Sequence, residues 1–73
     1  MMQTELSING QDYSWLGADL YTKSSTQPVW KRIKTYESDI VNVTTVPGKN
    51  RLQIVTKDVT FQTDLNGTAL MKY

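Results

Sequence analysis

The chain has 73 residues, 38% of them hydrophobic and 21% charged, with a formal net charge of +1. That composition fits one small globular domain over residues 1–73 and excludes a disordered or multi-domain chain. With no histidine and no cysteine, the usual catalytic triads, zinc sites, thiol nucleophiles and disulfides are excluded as well. The start, MMQTELSING, has neither the basic leader nor the apolar run of a signal peptide, and no later stretch reaches the ~18 apolar residues of a membrane helix. A cytoplasmic protein without a membrane association is the expectation.

The first element reads as a hairpin. Asn9-Gly10 is the preferred pair for a type I′ turn, and closing on it sets Ile8 opposite Gln11, Leu6 opposite Tyr13 and Thr4 opposite Trp15. Leu6, Ile8, Tyr13 and Trp15 then share an apolar face, while Glu5, Ser7, Asp12 and Ser14 point the other way. A competing reading makes Asp12 a helix N-cap, with Leu16 and Leu20 at i, i+4 spacing and an Asp19–Lys23 ion pair, giving a short helix near residues 14–20 that Gly17 weakens. Residues 17–28, GADLYTKSSTQP, lose any period and read as the longest exposed loop, tied down by Leu20 and Tyr21.

Residues 29–36, VWKRIKTY, are strand-like. Strict alternation places Trp30, Arg32, Lys34 and Tyr36 on one face and Val29, Lys31, Ile33 and Thr35 on the other. Glu37 and Asp39 follow at a two-residue spacing that suits a carboxylate or magnesium pair, although Ser38-Asp39 is more simply turn chemistry.

Residues 40–57 carry the strongest signal: IVNVTT and RLQIVTK flank VPGKN, a Pro-Gly turn between two β-rich runs. Folding about Pro47 to Asn50 sets Thr45 opposite Leu52, Val43 opposite Ile54 and Val41 opposite Thr56, with Asn42, Thr44, Arg51, Gln53 and Lys57 largely on the polar face. Residues 59–63 alternate again, and Asn66-Gly67 closes a last hairpin. That closure aligns Leu65, Thr63 and Phe61 with Thr68, Leu70 and Lys72, which puts Lys72 at the sheet rim and leaves Ala69, Met71 and Tyr73 on the opposite face.

These elements predict an all-β domain of five or six short strands, built as an SH3-like or OB-like antiparallel barrel or as a twisted sheet of hairpins. An α+β domain with one helix near residues 14–20 is the alternative. A core of this size seldom supplies more than about 3–5 kcal/mol, and no metal or disulfide is there to add to it. A larger protein complex, a nucleic acid or a second copy would each supply further burial.

Charge is grouped along the chain: Glu5, Asp12 and Asp19 come first, then Lys23, Lys31, Arg32 and Lys34, then Glu37 and Asp39, then Lys49, Arg51 and Lys57. Trp30, Arg32, Lys34 and Tyr36 therefore form the candidate contact face, with Arg51 as its extension. Tryptophan, tyrosine and arginine dominate protein interface hot spots, and aromatics interleaved with cations also suit RNA or single-stranded DNA. No catalytic residue, metal ligand or cofactor is expected. In its cofactor-free, single-domain design the chain resembles the small accessory proteins with which bacteriophages and mobile elements redirect host machinery such as RNA polymerase or defence complexes. The contact face and the small core together lead to the expectation of a non-enzymatic modulator or inhibitor of a larger assembly, with RNA or single-stranded-DNA binding as the alternative.

Overall fold

Tight turns cut the chain into eight strands in the computed structural model, which describes residues 2–73. They are β1 (Leu6–Ile8), β2 (Gln11–Leu16), β3 (Asp19–Ser24), β4 (Lys31–Thr35), β5 (Ile40–Thr45), β6 (Leu52–Thr56), β7 (Thr60–Thr63) and β8 (Ala69–Lys72). The first four form one antiparallel sheet in the order β1-β2-β3-β4 and the last four a second, β5-β6-β7-β8. The all-β expectation holds. The strands number eight rather than five or six, and the two sheets do not close into a barrel. Met1, which the leader reading includes, lies outside the described residues.

No helix forms at residues 14–20, and residues 19–24 are a strand rather than a loop. The helical alternative and the loop reading fail for one reason, while the preferred strand reading of residues 11–16 holds. Gly17, at φ 61°, is the first residue of a two-residue turn that pairs Leu16 with Asp19, the glycine placement of a type II′ hairpin turn. From that turn Trp15 faces Leu20 and Tyr13 faces Thr22, so the period-2 pattern resumes in β3.

The other turns follow their sequence signals. Asn9 and Gly10 both take positive φ, 52° and 76°, as a type I′ turn requires, and the register pairs Ile8 with Gln11 and Leu6 with Tyr13 as expected. In the central hairpin Val43 opposes Ile54 and Thr45 opposes Leu52. Beyond them a bulge makes Ile40, not Val41, the partner of Thr56. Val41 is therefore expelled from the apolar face and stands 56% exposed. A second bulge in β8 pairs Thr63 with Ala69 instead of Leu70, while Phe61 does oppose Lys72.

The core lies between the sheets. Tyr13 and Leu20 enter from the first sheet, Ile40, Val43, Leu52 and Ile54 from the second, and Tyr36 from the segment that joins them. The thin dimension of the molecule, 15 Å, matches two layers, since packed sheets lie about 10 Å apart. Tyr13 and Tyr36 also bind the layers by hydrogen bonds, donating their hydroxyls to the Leu65 carbonyl at 2.6 Å and the Gly67 carbonyl at 2.8 Å. Both acceptors belong to the β7–β8 turn. Asp64 shapes that turn by accepting from the Asn66 and Thr68 amides, an Asx-type arrangement that stands in for backbone pairing.

On the outer face of the first sheet Asp12 is 8% exposed rather than solvated. Its carboxylate accepts from Ser7 and Ser25 at 2.6 Å, Lys23 at 2.9 Å and Thr4 at 3.0 Å. Those donors join the N-terminal segment, β1, β3 and the loop after β3, so a polar residue expected on the surface fastens four parts of the chain. The Ser25 and Ser7 bonds, followed by Lys23, hold the carboxyl well below its usual range against the opposing effect of burial.

Candidate functional site

A third bulge, in β4, decides where the candidate contact residues go. Lys34 pairs with Leu20 and Arg32 with Tyr21, leaving Ile33 as the extra residue between them. The side-chain alternation is reset at that point. Arg32 shares the outer face with Tyr21 and Ser14, whereas Lys34 shares the inward side of Leu20, beside Gly67. The expected single row of Trp30, Arg32, Lys34 and Tyr36 is thus broken in two.

Each of those residues has a distinct environment. Trp30 is half-buried just before β4, with the Lys23 ammonium 5.5 Å from its ring centroid, and Trp15 is likewise half-buried. The ammonium also bonds Asp12, so one face of the Trp30 ring is occupied by a cation that is already neutralised. Tyr36 is a core residue, 9% exposed, its ring stacked on Phe61 at 5.5 Å and 25°. Burial, together with the nearby Asp64 charge, pushes its hydroxyl pKa up to about 12. Burial raises the Tyr13 hydroxyl as well.

Arg51 does not extend the face. It donates to Gln62 at 2.7 Å, and Gln62 donates in turn to the Tyr73 hydroxyl at 3.2 Å. Gln62 pairs with Gln53 and Met71 on the outward side of the second sheet. That surface and the one carrying Arg32 are turned away from each other, so one strand of nucleic acid cannot run along both.

What the fold does bring together is one side of the sandwich. On the opposite side β1 lies beside β5, and Asn9 donates to Asn50 at 2.9 Å. On this side β4 and β8 are the last strands of their sheets, each with an unpaired edge. Between them opens a cleft of about 320 Å³, lined by Lys34, Thr35, Tyr36, Glu37, Phe61, Ala69 and Lys72. The stacked Tyr36–Phe61 pair is its apolar floor, and Lys34 and Lys72 stand at its rim.

The charge of this side is unbalanced. Lys23 and Lys57 have carboxylate partners, and Arg51 has Gln62. Lys31, Arg32, Lys34 and Lys72 have no ion pair among the described residues and are exposed. Glu37 is the one acid lining the cleft. Asp39, its suggested carboxylate partner, pairs with Lys57 at 3.7 Å instead, and no three metal-ligating side chains cluster among the described residues.

Part of this site was readable. The last hairpin alone places Phe61 opposite Lys72 at a rim, and the block Lys31, Arg32, Lys34 is plain in the sequence. What joins them is the cleft between β4 and β8, which come from different sheets and share no local signal. Among the described residues no helix is long and apolar enough to cross a membrane. Compared with known proteins, the chain matches no family model, no curated protein and no solved structure.

Proposed function

We infer that this protein is a non-enzymatic docking module of the cytoplasm that binds a larger protein assembly and modulates it through the β4/β8 side. The observation that carries the reading is the asymmetry of the sandwich. On one side the edge strands β1 and β5 lie in contact; the other is split by a cleft with an aromatic floor and a rim of unpaired cations. A buried apolar centre with a polar rim is how protein interfaces are built. Docking there would also add burial to a domain with a small core of its own.

Nucleic acid fits the same side less well. Single-strand binders offer open aromatic faces to the bases, but the Tyr36 ring lies against Phe61 and a face of Trp30 is taken by Lys23. A net charge of +1 also gives little counterion release. Two copies joined through this side would bring Lys34 and Lys72 against their own kind.

Affinity capture from cell lysate with the parent protein and a Lys34→Glu/Lys72→Glu variant tests the reading, with the fold of both checked by NMR. The expected result is a protein assembly retained by the parent, lost by the variant and indifferent to nuclease. Capture that nuclease abolishes, or an identical set of proteins on parent and variant, would overturn it.

A further inference from the structure

Among the occupants this side can take, we propose an extended, acidic segment of a partner protein, added as a strand along the free edge of β4 with one apolar side chain seated in the cleft. The proposal rests on the docking function inferred above and specifies the chemistry of what docks. Three observations carry it.

The first is the edge. β4 ends its sheet, and only β3 pairs with it, so its other side presents free amides and carbonyls. A peptide backbone satisfies both kinds of group, whereas a phosphodiester supplies acceptors alone. The second is charge. Lys31, Arg32 and Lys34 lie within five residues of one strand, and Lys72 shares the lining of the cleft with Lys34. Lysines along an edge repel another copy of the same edge, and they complement a strand with carboxylates at alternate positions. The third is the cleft, whose Tyr36–Phe61 floor suits an apolar side chain better than a carboxylate and whose 320 Å³ leaves ample room for one leucine or phenylalanine.

The probe is a labelled synthetic peptide of about ten residues that alternates glutamate and valine around a central phenylalanine, long enough to span β4 as a strand. It is titrated into the full-length ¹⁵N-labelled protein. The expected shifts concentrate on β4, Tyr36, Phe61 and β8. Affinity should fall roughly tenfold in Lys34→Glu and again on raising salt from about 50 to 300 mM, within the range where screening acts on exposed charges. N-methylation of alternate peptide amides should cost a similar factor, because it removes the edge hydrogen bonds and keeps every charge.

Three outcomes would overturn the proposal. Equal binding of the N-methylated peptide would exclude strand addition, and equal binding of a lysine-for-glutamate peptide would exclude an acidic partner. Shifts confined to other surfaces, or none, would exclude the site. In each of these cases retained, variant-sensitive capture of a protein assembly would leave the docking function standing. A short oligothymidine that binds the same residues more tightly than the peptide would be a fourth such outcome and would remove the docking function as well.

Discussion

The Tyr36 hydroxyl shows how a polar group is turned away from a binding surface while its ring stays in it. It is donated to the Gly67 carbonyl, and its ring is held by Phe61. Tyr36→Phe keeps the stack and leaves that carbonyl unpaired, so we expect a loss of about 1–1.5 kcal/mol in urea unfolding, with peptide affinity nearly unchanged. Because the folded pKa is raised from 10.0 to about 12, this tyrosine's contribution is complete below pH 10 and lost as pH climbs toward 12, a loss that Tyr36→Phe should abolish. Gly67 is fixed by the same contact. Its φ is 82°, and a methyl group there would meet the Tyr36 hydroxyl at 3.1 Å and Lys34 Cβ at 3.2 Å, so Gly67→Ala should cost more than the ~1 kcal/mol of a strained backbone position alone. Asp12 works in the opposite pH range. With its folded pKa depressed, its contribution is present above the ordinary value of 3.8 and lost as pH falls below it. Asp12→Asn should therefore lower Tm at neutral pH more than Asp39→Asn, whose carboxylate is exposed, and should flatten the acid limb of a Tm–pH profile.

At the scale of elements, turns were legible and bulges were not. Asn9-Gly10, Pro47-Gly48 and Asn66-Gly67 each mark a reversal because the positive φ they carry suits few other residues. Gly17 carries the same information, but Leu16 and Leu20 at helical spacing obscured it. Bulges at Ile33, Val41 and Leu70 have no comparable mark, since none of them needs a positive φ or a special residue type. Their effect on the site is large: Ile33 alone separates Arg32 from Lys34. The β8 bulge has a further consequence. Leu70 is 48% exposed and without a strict partner in β7, so deleting it should restore a regular ladder at a cost within about 1 kcal/mol. The straightened, largely apolar edge that results should self-associate more strongly than the parent in analytical ultracentrifugation, because a bulge is one of the devices that keep a free edge from pairing. Similar sedimentation of the two would show that the bulge has no such role.

For the whole molecule, the two layers share a core whose fully buried aliphatic side chains are Leu20, Leu52 and Ile54. The sequence indicated which face of the first and central hairpins turns inward, and with it Tyr13, Val43, Leu52 and Ile54, but the pairing of two meanders depends on contacts far apart in the chain, such as Tyr13 to Leu65. With about 3–5 kcal/mol available to a domain of this size, Ile54→Ala, at about 2–5 kcal/mol for a large-to-small core change, should bring folding to the edge of balance. A sizeable unfolded population should then appear in the NMR spectrum at 25 °C. Ligand linked to the native state restores stability by mass action, about 2.7 kcal/mol at one hundred times Kd. The acidic peptide at that concentration should therefore return the Ile54→Ala spectrum to the folded form, and should raise the parent's Tm as well. Lys34→Glu in the same background should weaken the rescue without deepening the defect, since Lys34 is exposed and unpaired. Ile54→Ala that stays fully folded with a loss below about 1 kcal/mol would contradict the shared core. Rescue that is indifferent to Lys34 would place the peptide elsewhere on the molecule.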